Sequence, residues 1–165
     1  MCFFIIMEDK FKGLGYWEIV ELLNNCKNLD EEMDIYKKLV ELGEKTFIEL
    51  QTGETDCFIP IELDYYACPM DNLALCYMKQ KEYAKALPLL EKALLLYRML
   101  EITDSDFIYQ RYNALKRLVK CHKVLGNKTM AILYEHEQRL LEATSETLKN
   151  DCKGSKEDRG KMDEV

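Results

Sequence analysis

Residues 72–97 read NLALCYMKQKEYAKALPLLEKALLLY, and their spacing decides the fold. Leu73, Ala74 and Tyr77 share one helical face, because residues three and four apart are neighbours on a helix. A polar break, Lys79-Gln80-Lys81-Glu82, follows. A second stripe then runs through Tyr83, Ala86, Leu87, Leu90, Ala93, Leu94 and Tyr97. Two apolar stripes separated by so short a break predict two antiparallel helices packed on each other. Small Ala86 and Ala93 permit a close approach, and the larger side chains fill the gaps.

This segment closely resembles a tetratricopeptide repeat, since Leu73, Ala74, Tyr77, Tyr83, Ala86 and Ala93 stand where that family places its signature residues. One such repeat leaves two faces uncovered, so neighbours are expected. Sliding Leu118 onto Leu73 brings Val119 onto Ala74, His122 onto Tyr77 and Ala131 onto Ala86, with Leu125-Gly126-Asn127 as the turn; Gln138 replaces Ala93. Sliding Val20 onto Leu73 brings Trp17 onto Met70 and Met33 onto Ala86. That copy is degenerate, with Glu21 and Asn24 where Ala74 and Tyr77 sit, as terminal repeats often are. Both offsets exceed the common repeat length of about 34 residues. In this the chain is similar to the kinesin light chain type of repeat, which also tolerates a proline where Ala86-Leu87-Pro88-Leu89-Leu90 has one. The resemblance implies an all-α fold: three tandem helix-turn-helix hairpins stacked as a right-handed α-solenoid.

Helices are expected near 15–27, 29–50, 60–80, 83–101, 105–125 and 128–149. Asn28 with Glu31, and Thr103 with Asp106, read as helix starts: a side-chain oxygen caps free amides, and an acid three residues on favours the positive end. Gly53 and Pro60 bracket a longer connection. Pro69 is expected to interrupt the third helix, leaving 60–68 as a separate turn or bent extension. Pro88 predicts a modest kink, since a proline inside a helix costs one backbone hydrogen bond and about 3 kcal/mol.

With 165 residues the chain makes one domain, able to bury about 70% of the surface its unfolded form exposes. Residues 1–14 read as a leader, 15–149 as the repeat domain and 150–165 as a charged, flexible tail. The apolar start, Cys2–Met7, is too short to span a membrane and lacks the basic region of a secretory signal. Seven cysteines without a Cys-x-x-Cys pair fit a reducing compartment, and hence a cytoplasmic location, better than a disulfide framework.

A net charge of −7 argues against nucleic-acid binding, which needs a basic footprint. The basic residues are nevertheless organised. Asn113, Lys116, Arg117, Lys120 and Lys123 recur at three- and four-residue steps and so align on one helical face. The repeat resemblance turns that face into a concave groove, with Asn72, Leu75, Met78 and Lys79 on the preceding wall. A positive wall favours an acidic peptide or a chain-terminal carboxylate. The carboxylate clamp of co-chaperone repeats is incomplete here. Asn72 and Arg117 coincide with two of its places, but Asn113 stands where it needs Lys, and Glu18 and Leu22 where it needs Lys and Asn.

Catalytic and metal readings are poor. Cys121 and His122 are adjacent on a helix and point about 100° apart, so they are no nucleophile–base pair, and with His136 they make too sparse a ligand set for zinc. Acids at Glu31-Glu32 and Asp104-Asp106 stand at helix starts, and Gly13-x-Gly15 is an isolated fragment of a phosphate-binding pattern. The sequence therefore points to a non-enzymatic protein- or peptide-binding adaptor, without cofactor, metal or membrane partner. The alternatives are a peptide-sensing regulator and a repeat protein that self-associates as a homo-oligomer.

Overall fold

The computed structural model describes residues 10–52, 60–101 and 107–145, and every regular element among them is helical. They are α1 (Tyr16–Leu22, extended by a 3-10 turn, Leu23–Asn25), α2 (Leu29–Thr52), α3 (Pro60–Lys79), α4 (Tyr83–Glu101), α5 (Phe107–Val124) and α6 (Lys128–Thr144). The Thr103–Asp106 helix start, the connection after Gly53, the tail from 150 and the first nine residues of the expected leader lie outside the described residues. No helix among the described residues is long and apolar enough to cross a membrane.

Local signals account for most ends. Asn28 caps α2: its Oδ1 accepts the Glu31 amide at 2.9 Å, and Glu31 Oε2 accepts the Lys27 amide at 2.9 Å. At the end of α3 the Glu82 amide donates to the Tyr77 carbonyl at 2.9 Å and Lys81 to Met78 at 3.0 Å, with Lys81 in the left-handed region at φ 64°. The end of α5 repeats this arrangement. There Asn127 donates to His122 at 2.8 Å and Gly126 to Lys123 at 3.2 Å, with Gly126 at φ 79°. Lys81 and Gly126 are offset just as Leu73 and Leu118 are. α6 stops at Thr144, short of the expected 149, where the Ser145 backbone turns extended.

Each helix packs mainly on the next in chain order, and α3 also touches α5. The main core lies between α3, α4 and α5, with Ala74, Ala86 and Ala93 wholly buried among Tyr66, Met70, Leu90, Leu94 and Tyr97. A smaller cluster joins Phe11, Ile19, Ile35 and Leu39 beneath α1 and α2. Met33, Leu73 and Cys76 join α2 to α3.

One expectation fails instructively. α3 runs unbroken through Pro69, with 60–68 as part of the same helix. Proline at 69 removes the donor that the Tyr65 carbonyl, four residues earlier, would use. The Tyr16 hydroxyl of α1 supplies a replacement at 3.0 Å. The second proline, Pro88 within α4, lies exposed, as does Ala84 four residues before it.

Gly43 sets the approach of α2 to α3. A Cβ at this position would stand 2.8 Å from Tyr66 Cδ2 and 3.1 Å from Tyr66 Cα. Gly→Ala inside a helix normally stabilises by about 1 kcal/mol. Here the sign should invert: Gly43→Ala is expected to lower stability by about 1–3 kcal/mol through overpacking against backbone. Denaturant midpoints of the two proteins check this, and a more stable variant would mean that the helices do not meet at Gly43.

Candidate functional site

Two regions merit description: the basic face of α5, and a cleft where α1, α2 and α3 meet. Most of the expected cationic residues are engaged within the protein. Arg117 forms a charge-assisted hydrogen bond to Asp71 of α3, Lys123 pairs with Glu135 of α6, and Lys79 lies 3.4 Å from Glu32 of α2. Lys116 and Lys120 differ. Both are exposed and neither has a partner among the described residues. Asn113 and Leu75 are half-buried, whereas Met78 is buried in the main core and adds packing rather than groove surface.

Asp71 is 6% exposed, and its Oδ1 finds no partner among the described residues. Burial pushes its carboxyl above the ordinary range, against the opposing pull of Arg117. The pair therefore ties α5 to α3 at a desolvation cost, and Arg117 is committed to structure. A second ionic cluster locks the far end. Arg98 of α4 holds Glu137 of α6 through two bonds of 3.1 and 2.5 Å, and Arg111 of α5 bridges Glu137 at 2.9 Å and Glu101 at 2.7 Å. Burial raises the Glu137 carboxyl, but the two guanidinium groups outweigh it and hold it below its usual value.

The cleft, of about 230 Å³, has Asn72 on its wall beside Tyr16, Trp17, Asp64, Tyr65 and Cys68, over an apolar floor of Val20, Leu23 and Leu39. The rings of Tyr16, Trp17 and Tyr65 meet at centroid distances of 5.0–5.4 Å. Trp17 is 60% exposed. The Cys68 thiol donates to Asp64 Oδ1 at 2.9 Å and accepts the Tyr97 hydroxyl at 3.6 Å. Burial, reinforced by the Asp64 carboxylate, pushes this thiol up to about 12, so it is no thiolate nucleophile near neutral pH. Burial likewise lifts Cys76 to about 11. His122 is buried and stacked on Tyr134 at 5.4 Å, with Nδ1 3.4 Å from the Asn127 amide nitrogen; His136 is exposed. No three His, Cys, Asp or Glu side chains converge as a metal site among the described residues.

Sequence reasoning placed Asn72 in a groove but not the aromatic cluster beside it. The adjacent pairs Tyr16-Trp17 and Tyr65-Tyr66 carried the signal. Comparison with protein-family models, curated proteins and solved structures gave no match to this chain.

Two outcomes are expected from this geometry. Tyr16→Phe removes the donor to the part-buried Tyr65 carbonyl and should cost about 1 kcal/mol, the net worth of a hydrogen bond; an unchanged thermal midpoint would mean that water replaces the hydroxyl freely. Arg117→Met strands the Asp71 carboxylate and should cost about 3 kcal/mol at neutral pH. Adding Asp71→Asn to that variant should recover at least half. Burial then acts unopposed on the carboxyl, so the penalty of the single variant is full above its raised pKa and fades as pH falls through it. Unfolding curves at neutral and acidic pH test both points.

Proposed function

We propose that the chain is a non-enzymatic peptide-binding module of the tetratricopeptide-like kind, taking an acidic partner segment along the concave side of a right-handed stack of three helical hairpins. The observation that carries this reading is the isolation of Lys116 and Lys120: two exposed cations one helical turn apart, unpaired among the described residues of a strongly acidic protein whose neighbouring Arg117 and Lys123 are neutralised internally. The recurrence of one helix-ending geometry at Lys81 and Gly126, in register with the matching apolar positions, supports the repeat architecture. Asn72 supports the groove. Its half-buried side-chain amide has no hydrogen-bond partner among the described residues and is free to meet a peptide backbone.

A second reading, self-association, rests on α6. Ile132, Leu133 and Leu140 are exposed along this last described helix, which would give a second copy an apolar face. Size measured against concentration separates it from the first.

Binding of Glu- and Asp-rich peptides by the full chain tests the primary reading. Changing Lys116 and Lys120 to Glu should alter stability by only about 0.5 kcal/mol per site, as is usual for surface positions. It should weaken peptide binding at least about tenfold, equivalent to 1.4 kcal/mol. Added salt should weaken the wild-type complex in the same direction, since exposed charges are screened over about 8–10 Å. Affinity that ignores both the double substitution and salt would reduce this face to a solvated surface.

A further inference from the structure

We infer that the cleft between α1, α2 and α3 is a pocket for an arginine side chain of a partner peptide. This pocket shares the groove of the preceding reading but stands without it, because it uses none of the α5 lysines. Its first ingredient is π surface: three mutually touching rings, with the indole of Trp17 more than half exposed. Its second is an uncompensated anion. Asp64 accepts the Cys68 thiol, yet no Lys, Arg or His pairs with it among the described residues.

Elsewhere in this protein such rings already carry a cation. Lys92 sits 4.9 Å above Tyr66, Lys85 5.6 Å above Tyr77 and Lys10 5.0 Å above Phe11. The Tyr16–Trp17–Tyr65 cluster has π faces and a carboxylate but no internal cation among the described residues, so it is complementary to a cation brought by a partner. Arginine suits the site better than lysine. Its planar guanidinium stacks on aromatic faces and donates in a fork to a carboxylate, while its methylene stem covers the apolar floor of Val20 and Leu23. Asn72 on the same wall offers an amide to the peptide backbone around that arginine.

Trp17 is the only tryptophan of the chain, so its fluorescence reports this cleft directly. The test titrates the full chain with three blocked tripeptides, acetyl-Gly-X-Gly-amide, in which X is arginine, lysine or the neutral isostere citrulline. The expected result is a saturable change with arginine in the millimolar range, weaker binding of lysine, and citrulline weaker by at least about tenfold. Asp64→Asn should lower arginine affinity by about the same factor. One variant should leave it unchanged: Glu21→Gln, an exposed acid of α1 outside the cleft. Equal binding of citrulline, indifference to Asp64→Asn, loss in Glu21→Gln as large as in Asp64→Asn, or no saturable change would each overturn the proposal. The citrulline comparison uses only the unaltered protein, so it holds if a variant fails to fold. Arginine binding without acidic-peptide binding would sink the preceding reading and leave this one standing.

Discussion

A proline within α3 leaves the carbonyl of Tyr65 without its helical donor, and the repair of that gap shapes one end of the molecule. The repair comes from outside the helix, through the Tyr16 hydroxyl. The carbonyl is part-buried, and its hydrogen bond, worth about 1 kcal/mol, favours the placement of α1 against α3. That placement brings Tyr16 and Trp17 against Tyr65 and opens the cleft beside them. Burial holds the Tyr16 phenol far above its ordinary pKa, with Cys68 and Asp64 adding to the effect, so it serves as a donor throughout the physiological range. A residue that reads as a helix breaker thus becomes the reason for a tertiary contact.

The same logic governs the ion pairs. α3 and α5 touch little directly, and Arg117 spans them to reach a carboxylate that burial has stripped of water. Such a pair adds little net stability, because desolvation offsets most of the attraction, but it penalises any register in which Asp71 stands alone. The Arg98–Glu137–Arg111–Glu101 cluster does the equivalent for α4, α5 and α6. Exposed single pairs such as Lys85–Glu82 are worth far less.

The helices were legible because their signals are local. Asn28 and Glu31, the turn at Leu125-Gly126-Asn127 and the apolar spacing from Leu73 to Tyr97 each act within a few residues, and the structure has a cap, a turn and a packed helical pair at those places. What escaped depends on partners distant in sequence. Tyr16 and Tyr65 are far apart along the chain, so nothing near Pro69 announces that its missing bond is supplied. Arg117 and Lys123 read as free cations on one face, whereas Asp71 and Glu135 neutralise them from other helices. Met78 had the spacing of a groove residue, but α3 is covered on more than one side and takes it into the core. Helical periodicity assigns a face; it does not count the neighbours that cover it.

The recognition proposed above would rest on groups that the fold leaves uncommitted. Subtracting the capping acids, the buried pairs and the lysines already seated over aromatic rings leaves few candidates on this wall. Among the described residues, Lys116 and Lys120 are cations without anions, Asp64 an anion without a cation, and Asn72 an amide without a partner. They lie on α3 and α5, the two helices that Arg117 and Asp71 bind to each other. An internal ion pair that adds little to stability therefore has a second consequence: it holds an acidic, aromatic element and a basic one at a defined offset. In the peptide binding proposed above, complementary charges at such an offset would favour one orientation of the peptide over its reverse, because the reversed peptide would set like charges against each other.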